Sequence, residues 1–92
     1  MAIYVISLEL SKNRNHDALW RQFLRWKCIA LTKSVWLAEL VGPATAIHDQ
    51  LADHLSREDK LLIFEINYGS QWLVSSVDGR VKTWVAAKVG PQ

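Results

Sequence analysis

The first ten residues, MAIYVISLEL, constrain the fold of this chain more than any other stretch. As a strand they send Ile3, Val5 and Ser7 to one side and Tyr4, Ile6 and Leu8 to the other. Apolar bulk on both sides, without polar alternation, is the pattern of a central strand covered on both faces. The strand runs out at Glu9 into the polar loop Ser11, Lys12, Asn13, Arg14 and Asn15, which has turn chemistry. An acid at the end of a central first strand is a candidate catalytic position.

Further apolar segments follow in a regular order. Asn15 or Asp17 can cap a helix from about residue 16 to 27, in which Leu19, Trp20, Phe23, Leu24 and Cys28 recur at three- and four-residue spacing as its apolar face. Arg14, Ala18, Arg21 and Arg25 share the other face, so three arginines form a stripe that is either a solvated surface or a set of phosphate contacts. Trp26 beside it is either an edge-of-core residue or a stacking surface for a base. Residues 27 to 31 are ambiguous, and Thr32 and Lys33 make a tight connection into a strand from Ser34 to Val41. Gly42 and Pro43 stop that strand, and Pro43 is suited to begin a helix because its missing N–H costs nothing there.

The second helix runs from Ala44 to about Leu55 on the spacing of Ile47, Leu51 and Leu55. His48 and His54 lie six residues apart and so on different faces, which argues against a metal cluster with Asp49 and Asp53. After the charged turn Ser56 to Asp59, residues 61 to 66 read as a third strand with almost no alternation. In the tail, Asp78-Gly79 can close a β-hairpin, whereas Val77, Val81, Trp84 and Val85 fit a helical face. The reading favours a short helix over 79 to 88, ended by Gly90 and Pro91, with a swapped strand as the alternative.

Composition bounds the rest. Ninety-two residues, half of them hydrophobic, suit one domain with a modest core. The single Cys28 has no intrachain disulfide partner and no thiolate cluster around it, which predicts a reduced, cytoplasmic protein. No basic region precedes the opening apolar run, and no stretch approaches the ~20 apolar residues of a membrane span, so neither a signal peptide nor a membrane partner is expected. A net charge of +2 permits a nucleic-acid partner without requiring one.

With two strands joined near Thr32 and Lys33, the element order becomes βαββαβ plus a C-terminal element. That is the order of an α+β, ferredoxin-like sandwich with an antiparallel sheet, here a single domain spanning 1–92. Two helices cover only one face of such a sheet, yet the strands are apolar on both. The pattern therefore predicts a second covering, most simply another copy of the chain in a homodimer joined sheet to sheet, with Trp36 and Trp72 as candidate interface residues.

The segments IYVISLEL, SVWLAEL and EDKLLIFEI, in this order and spacing, resemble the ferredoxin-like superfamily that includes the CRISPR-associated protein two and the virulence-associated protein D ribonucleases. Within it the chain is most similar to short SinR-like bacterial proteins, over residues 1 to about 67. The resemblance implies a dimer that cuts or holds nucleic acid, with an acid at the end of the first strand binding a divalent metal. The matching acid here is Glu9, with Leu8 where the family has an aromatic residue, and the polar start of the second clear strand is kept as Ser34. A glutamate would carry Mg²⁺ on oxygens one methylene further out than the family's aspartate.

Three functions follow as expectations. The first is a non-catalytic dimeric module that binds DNA, RNA or a protein partner, with Arg14, Arg21, Arg25 and Lys33 as phosphate contacts. The second is a metal-dependent ribonuclease or deoxyribonuclease with Glu9 as ligand, against which stands a simple pairing of Glu9 with Lys12, Lys33 or Arg14. The third is a scaffold in a toxin–antitoxin or mobile-element system. No Ser-His-Asp or Cys-His arrangement and no Gly-rich phosphate loop points to another enzyme class.

Overall fold

The computed structural model describes residues 1–11 and 15–92, so Lys12, Asn13 and Arg14 lie outside the described residues. Strand β1 (Ala2–Glu9) leads to helix α1 (Asp17–Arg25), then β2 (Ile29–Ala30), β3 (Val35–Leu40), α2 (Ala44–Ala52), β4 (Lys60–Ile66) and α3 (Gly79–Lys88). The sheet is open, four-stranded and antiparallel, in the order β2-β3-β1-β4. β1 is thus central, as its two apolar faces require.

Register follows from the pleat. Tyr4, Ile6 and Leu8 lie opposite Ala38, Trp36 and Ser34 on one side and Glu65, Ile63 and Leu61 on the other. This face carries the larger core, in which Leu19 and Phe23 of α1 and Ile47 and Leu51 of α2 meet Tyr4, Ile6, Leu8, Ala38 and Leu40. Helix α1 is held at its start by Asn15, whose side-chain oxygen accepts the Asp17 N–H at 2.8 Å. Helix α2 ends at Ala52, short of the expected Leu55. Its last carbonyls are taken up instead by tighter turns, from the His54 N–H to Leu51 and from the Leu55 N–H to Ala52.

Ile3 and Leu37 point to the opposite face and are buried by Val81, Val85 and Val89, with Val5, Ile29, Ile66, Trp72, Val77 and Trp84 partly buried around them. The tail is therefore a helix, not a hairpin: Asp78 caps it by accepting the Arg80 N–H, which turns the Asp-Gly pair into a helix start. The second covering that the sequence pattern demands is thus supplied in part by this chain's own α3. Three bonds fasten it. Lys88 reaches Glu39 of β3 at 3.1 Å, the Trp72 ring N–H donates to the Gly90 carbonyl at 2.7 Å, and the Gly69 N–H donates to the Val89 carbonyl at 2.7 Å. Gly90 sits at φ +127°, a conformation open to glycine and not to side-chain-bearing residues, so the chain can turn away just after α3.

No helix among the described residues is long and apolar enough to cross a membrane.

Candidate functional site

The end of β1 and the outward face of α1 are the two places where the sequence puts candidate functional groups. At the first, Glu9 lies opposite Lys60 in the β1–β4 register, and the two side chains approach to 3.7 Å. Among the described residues Glu9 thus pairs not with Lys33 but with the cross-strand lysine that the register sets beside it, while Lys12 and Arg14 lie outside the described residues. Both side chains are largely exposed, so the pair is a weak surface contact. Among the described residues no three His, Cys, Asp or Glu side chains are placed to hold a metal together.

Next to this strand end is a polar junction absent from the sequence reading. The Asp59 carboxylate accepts the Ser11 N–H at 2.6 Å and the Ser56 N–H at 2.8 Å, tying the loop after β1 to the turn before β4. These two backbone donors, Ser11 first, hold the Asp59 carboxyl below its ordinary range, and nearby His16 adds to the effect. The His16 ring lies 3.0 Å from the Ser11 carbonyl through Nε2. The only local signal was the Ser56 to Asp59 spacing of a side-chain-closed turn; the reach across to Ser11 spans 48 residues.

Helix α1 presents Arg21 and Arg25 to solvent, as the stripe predicted. Arg25 donates to Gln22 within the helix at 2.8 Å, and neither arginine has an acidic partner among the described residues. The apolar face expected for this helix needs correction, because Leu24 is 80% exposed and Trp20 40% exposed. Only Leu19 and Phe23 are buried, since a helix laid flat on a sheet buries a narrow stripe and Trp20 and Leu24 fall just outside it. The outward face therefore alternates Trp20, Arg21, Leu24 and Arg25.

Trp20 is braced from below. Its ring lies 5.4 Å from that of Trp36 and 5.8 Å from that of Phe23, and Phe23 in turn stands 5.1 Å from Trp36. Trp26 stacks on Phe23 at 6.4 Å and is half-buried at the edge of the core. These edge and tilted contacts limit the motion of an exposed ring, which is the state a stacking platform needs.

Of the remaining candidates, Lys33 is exposed in the β2–β3 turn, beside the Ser34 end of the sheet. Arg25 sits at the other end, next to Trp26, which lines a hollow with Met1, Leu40 and Val41. The two are not brought together, and Arg14 lies outside the described residues. Trp36 and Trp72 lie against opposite faces of the sheet and so do not form one surface. Cys28 is half-buried, and desolvation pushes its thiol up to about 12, so it stays protonated and is a poor nucleophile at neutral pH. Comparison with models of known families, with curated proteins and with solved structures finds no match to this chain.

Proposed function

We propose that this chain is a small, non-catalytic, dimeric module of ferredoxin-like topology that holds nucleic acid on the outward face of α1. The observation that carries the reading is the juxtaposition of Arg21 and Arg25, which have no acidic partner among the described residues, with the exposed and braced ring of Trp20. Guanidinium groups engage phosphates bidentately, and an indole face stacks on any base, so the combination suits a single strand held without strict sequence reading. The topology is supported by the βαββαβ element order with every neighbouring strand pair antiparallel. The net charge of +2 is compatible with such a partner.

A nuclease built on Glu9 is less well supported, because the Lys60 ammonium 3.7 Å from the Glu9 carboxylate disfavours a second cation there. The two readings separate in one experiment. Labelled single- and double-stranded DNA and RNA are titrated with the chain at several salt concentrations, with and without Mg²⁺ or Mn²⁺. A binding module gives salt-sensitive association to intact oligonucleotide. Arg21→Ala with Arg25→Ala then lowers the slope of log affinity against log salt by about 1.4–1.8, as loss of two phosphate contacts requires. Absence of binding, or a double variant with the wild-type slope, overturns the assignment to α1. Metal-dependent cleavage abolished by Glu9→Ala would replace it with the nuclease.

A further inference from the structure

The sheet has two edges of very different character. β2 is two residues long, whereas β4 is seven and carries the sequence KLLIFEI without proline or glycine. Leu8 donates its N–H to the Ser34 carbonyl, so the even-numbered residues of β1 bond towards β3 and the odd-numbered ones towards β4. Across the β1–β4 register, the even-numbered residues of β4 are consumed inwards, and the N–H and C=O groups of Leu61, Ile63 and Glu65 point outwards. Among the described residues no strand pairs with that side. Long, unpaired edges are ordinarily blunted by a central lysine, a proline or a bulge, and β4 has none of these.

The same strand holds the apolar surface that α3 leaves open. Phe64 is 61% exposed and Leu62 54% exposed, on the face where Ile3, Leu37 and Val85 are buried. We infer that β4 pairs antiparallel with β4 of a second copy about a two-fold axis through Ile63, joining two sheets into one of eight strands. This deepens the dimeric part of the proposed function and rests on it.

Self-pairing is favoured by the strand's own sequence. Alignment of Ile63 with Ile63 of the second copy engages all seven residues and sets Leu62 opposite Phe64 of the other chain. The four rings and side chains then form one cluster in the gap between the two α3 helices. In this register Lys60 lies opposite Ile66 and Glu65 opposite Leu61 of the other copy, so no like charges face each other across the axis. A register shorter by two residues would set Asp59 against Glu65, two like charges directly opposed. The arrangement is isologous, so it closes after two copies and leaves only the short β2 edges exposed.

The test is the mass of the full chain in solution, by light scattering or sedimentation, for wild type and two paired variants. Leu62→Lys with Phe64→Lys places lysines opposite lysines across the axis, and the mass falls from two chains to one with the far-ultraviolet spectrum unchanged. Leu62→Lys with Phe64→Glu sets opposite charges face to face in the same register and restores the dimer. A second measurement does not depend on those variants folding: chains carrying Leu62→Cys and Phe64→Cys are mixed under mild oxidation. The mixed disulfide exceeds either homodisulfide, because Leu62 faces Phe64 of the other copy at a non-hydrogen-bonded position and neither faces its own counterpart. A wild-type monomer overturns both this interface and the dimeric part of the function. A dimer that survives the double-lysine change, or cross-links without preference, overturns the interface and leaves the dimer standing. A monomer that gains a strand only from an added peptide would make β4 a docking edge for another protein and also overturn self-pairing.

Discussion

At the scale of single residues, Asp59 does the most for its size. One carboxylate closes two loops by accepting from Ser11 and Ser56, and those donors favour its charged form. A folded-state pKa below the unfolded one means that this stabilisation is fully present above the ordinary carboxylate range, about 4, and is lost as pH falls through the lowered folded value. Asp59→Asn is therefore expected to lower the melting temperature at neutral pH and to flatten its decline on the acid side. Melting curves from neutral pH down to strong acid check both, and a variant whose acid limb overlays that of wild type would exclude Asp59 as a source of acid sensitivity. Tyr4 shows a related coupling. Burial, and then the Glu65 carboxylate that accepts its hydroxyl at 3.3 Å, raise the phenol above its usual range. A side chain at Gly42 would run into that hydroxyl, which is why the chain bends there on glycine.

At the scale of elements, α3 decides whether the sheet is a two-layer or a three-layer structure. Val81 and Val85 of the helix, with Val89 just after it, cover Ile3 and Leu37. Val85→Ala is expected to cost about 1–3 kcal/mol in urea unfolding, through lost transfer energy and the cavity left behind. Ala86→Ser, on the exposed side, should change stability by less than about 0.5 kcal/mol. Equal effects from the two would mean that α3 does not rest on the sheet through its valine face. The sequence favoured a helix over 79 to 88 on the spacing of Val77, Val81, Trp84 and Val85 and the trailing Gly90, but left a swapped strand open because Asp78-Gly79 is also a hairpin turn; the structure makes Asp78 the cap of that helix. The sequence misread the inner face of α1, where Trp20 and Leu24 have helical spacing but fall beside the contact stripe that the flat sheet defines.

At the scale of the whole molecule, both core clusters share β1: its even-numbered residues belong to one and Ile3 and Val5 to the other. Neither cluster retains its floor if β1 leaves, so the two layers should unfold together. Tryptophan fluorescence of a Trp72→Phe, Trp84→Phe chain, which reports only Trp20, Trp26 and Trp36, should give the same urea midpoint as far-ultraviolet circular dichroism. Separate midpoints would show α3 peeling away as its own unit.

The sequence by itself determined β1, β3, β4, α1, α2 and the centrality of β1, because apolar periodicity and turn residues act over a few positions and are written locally; it left β2 ambiguous and weighed α3 against a swapped strand. It also marked Arg21 and Arg25 as one stripe, since helical spacing alone puts them there. Only the tertiary structure decided that Lys60 pairs with Glu9, that Asp59 binds Ser11, and that Trp36 and Trp72 face opposite ways. The same holds for the covering of the second face by α3, which stops short of Leu62 and Phe64. Each of these depends on strand register or on the placement of one layer over another, and such long-range pairings are set by the summed burial of many residues rather than by any signal near the residues concerned.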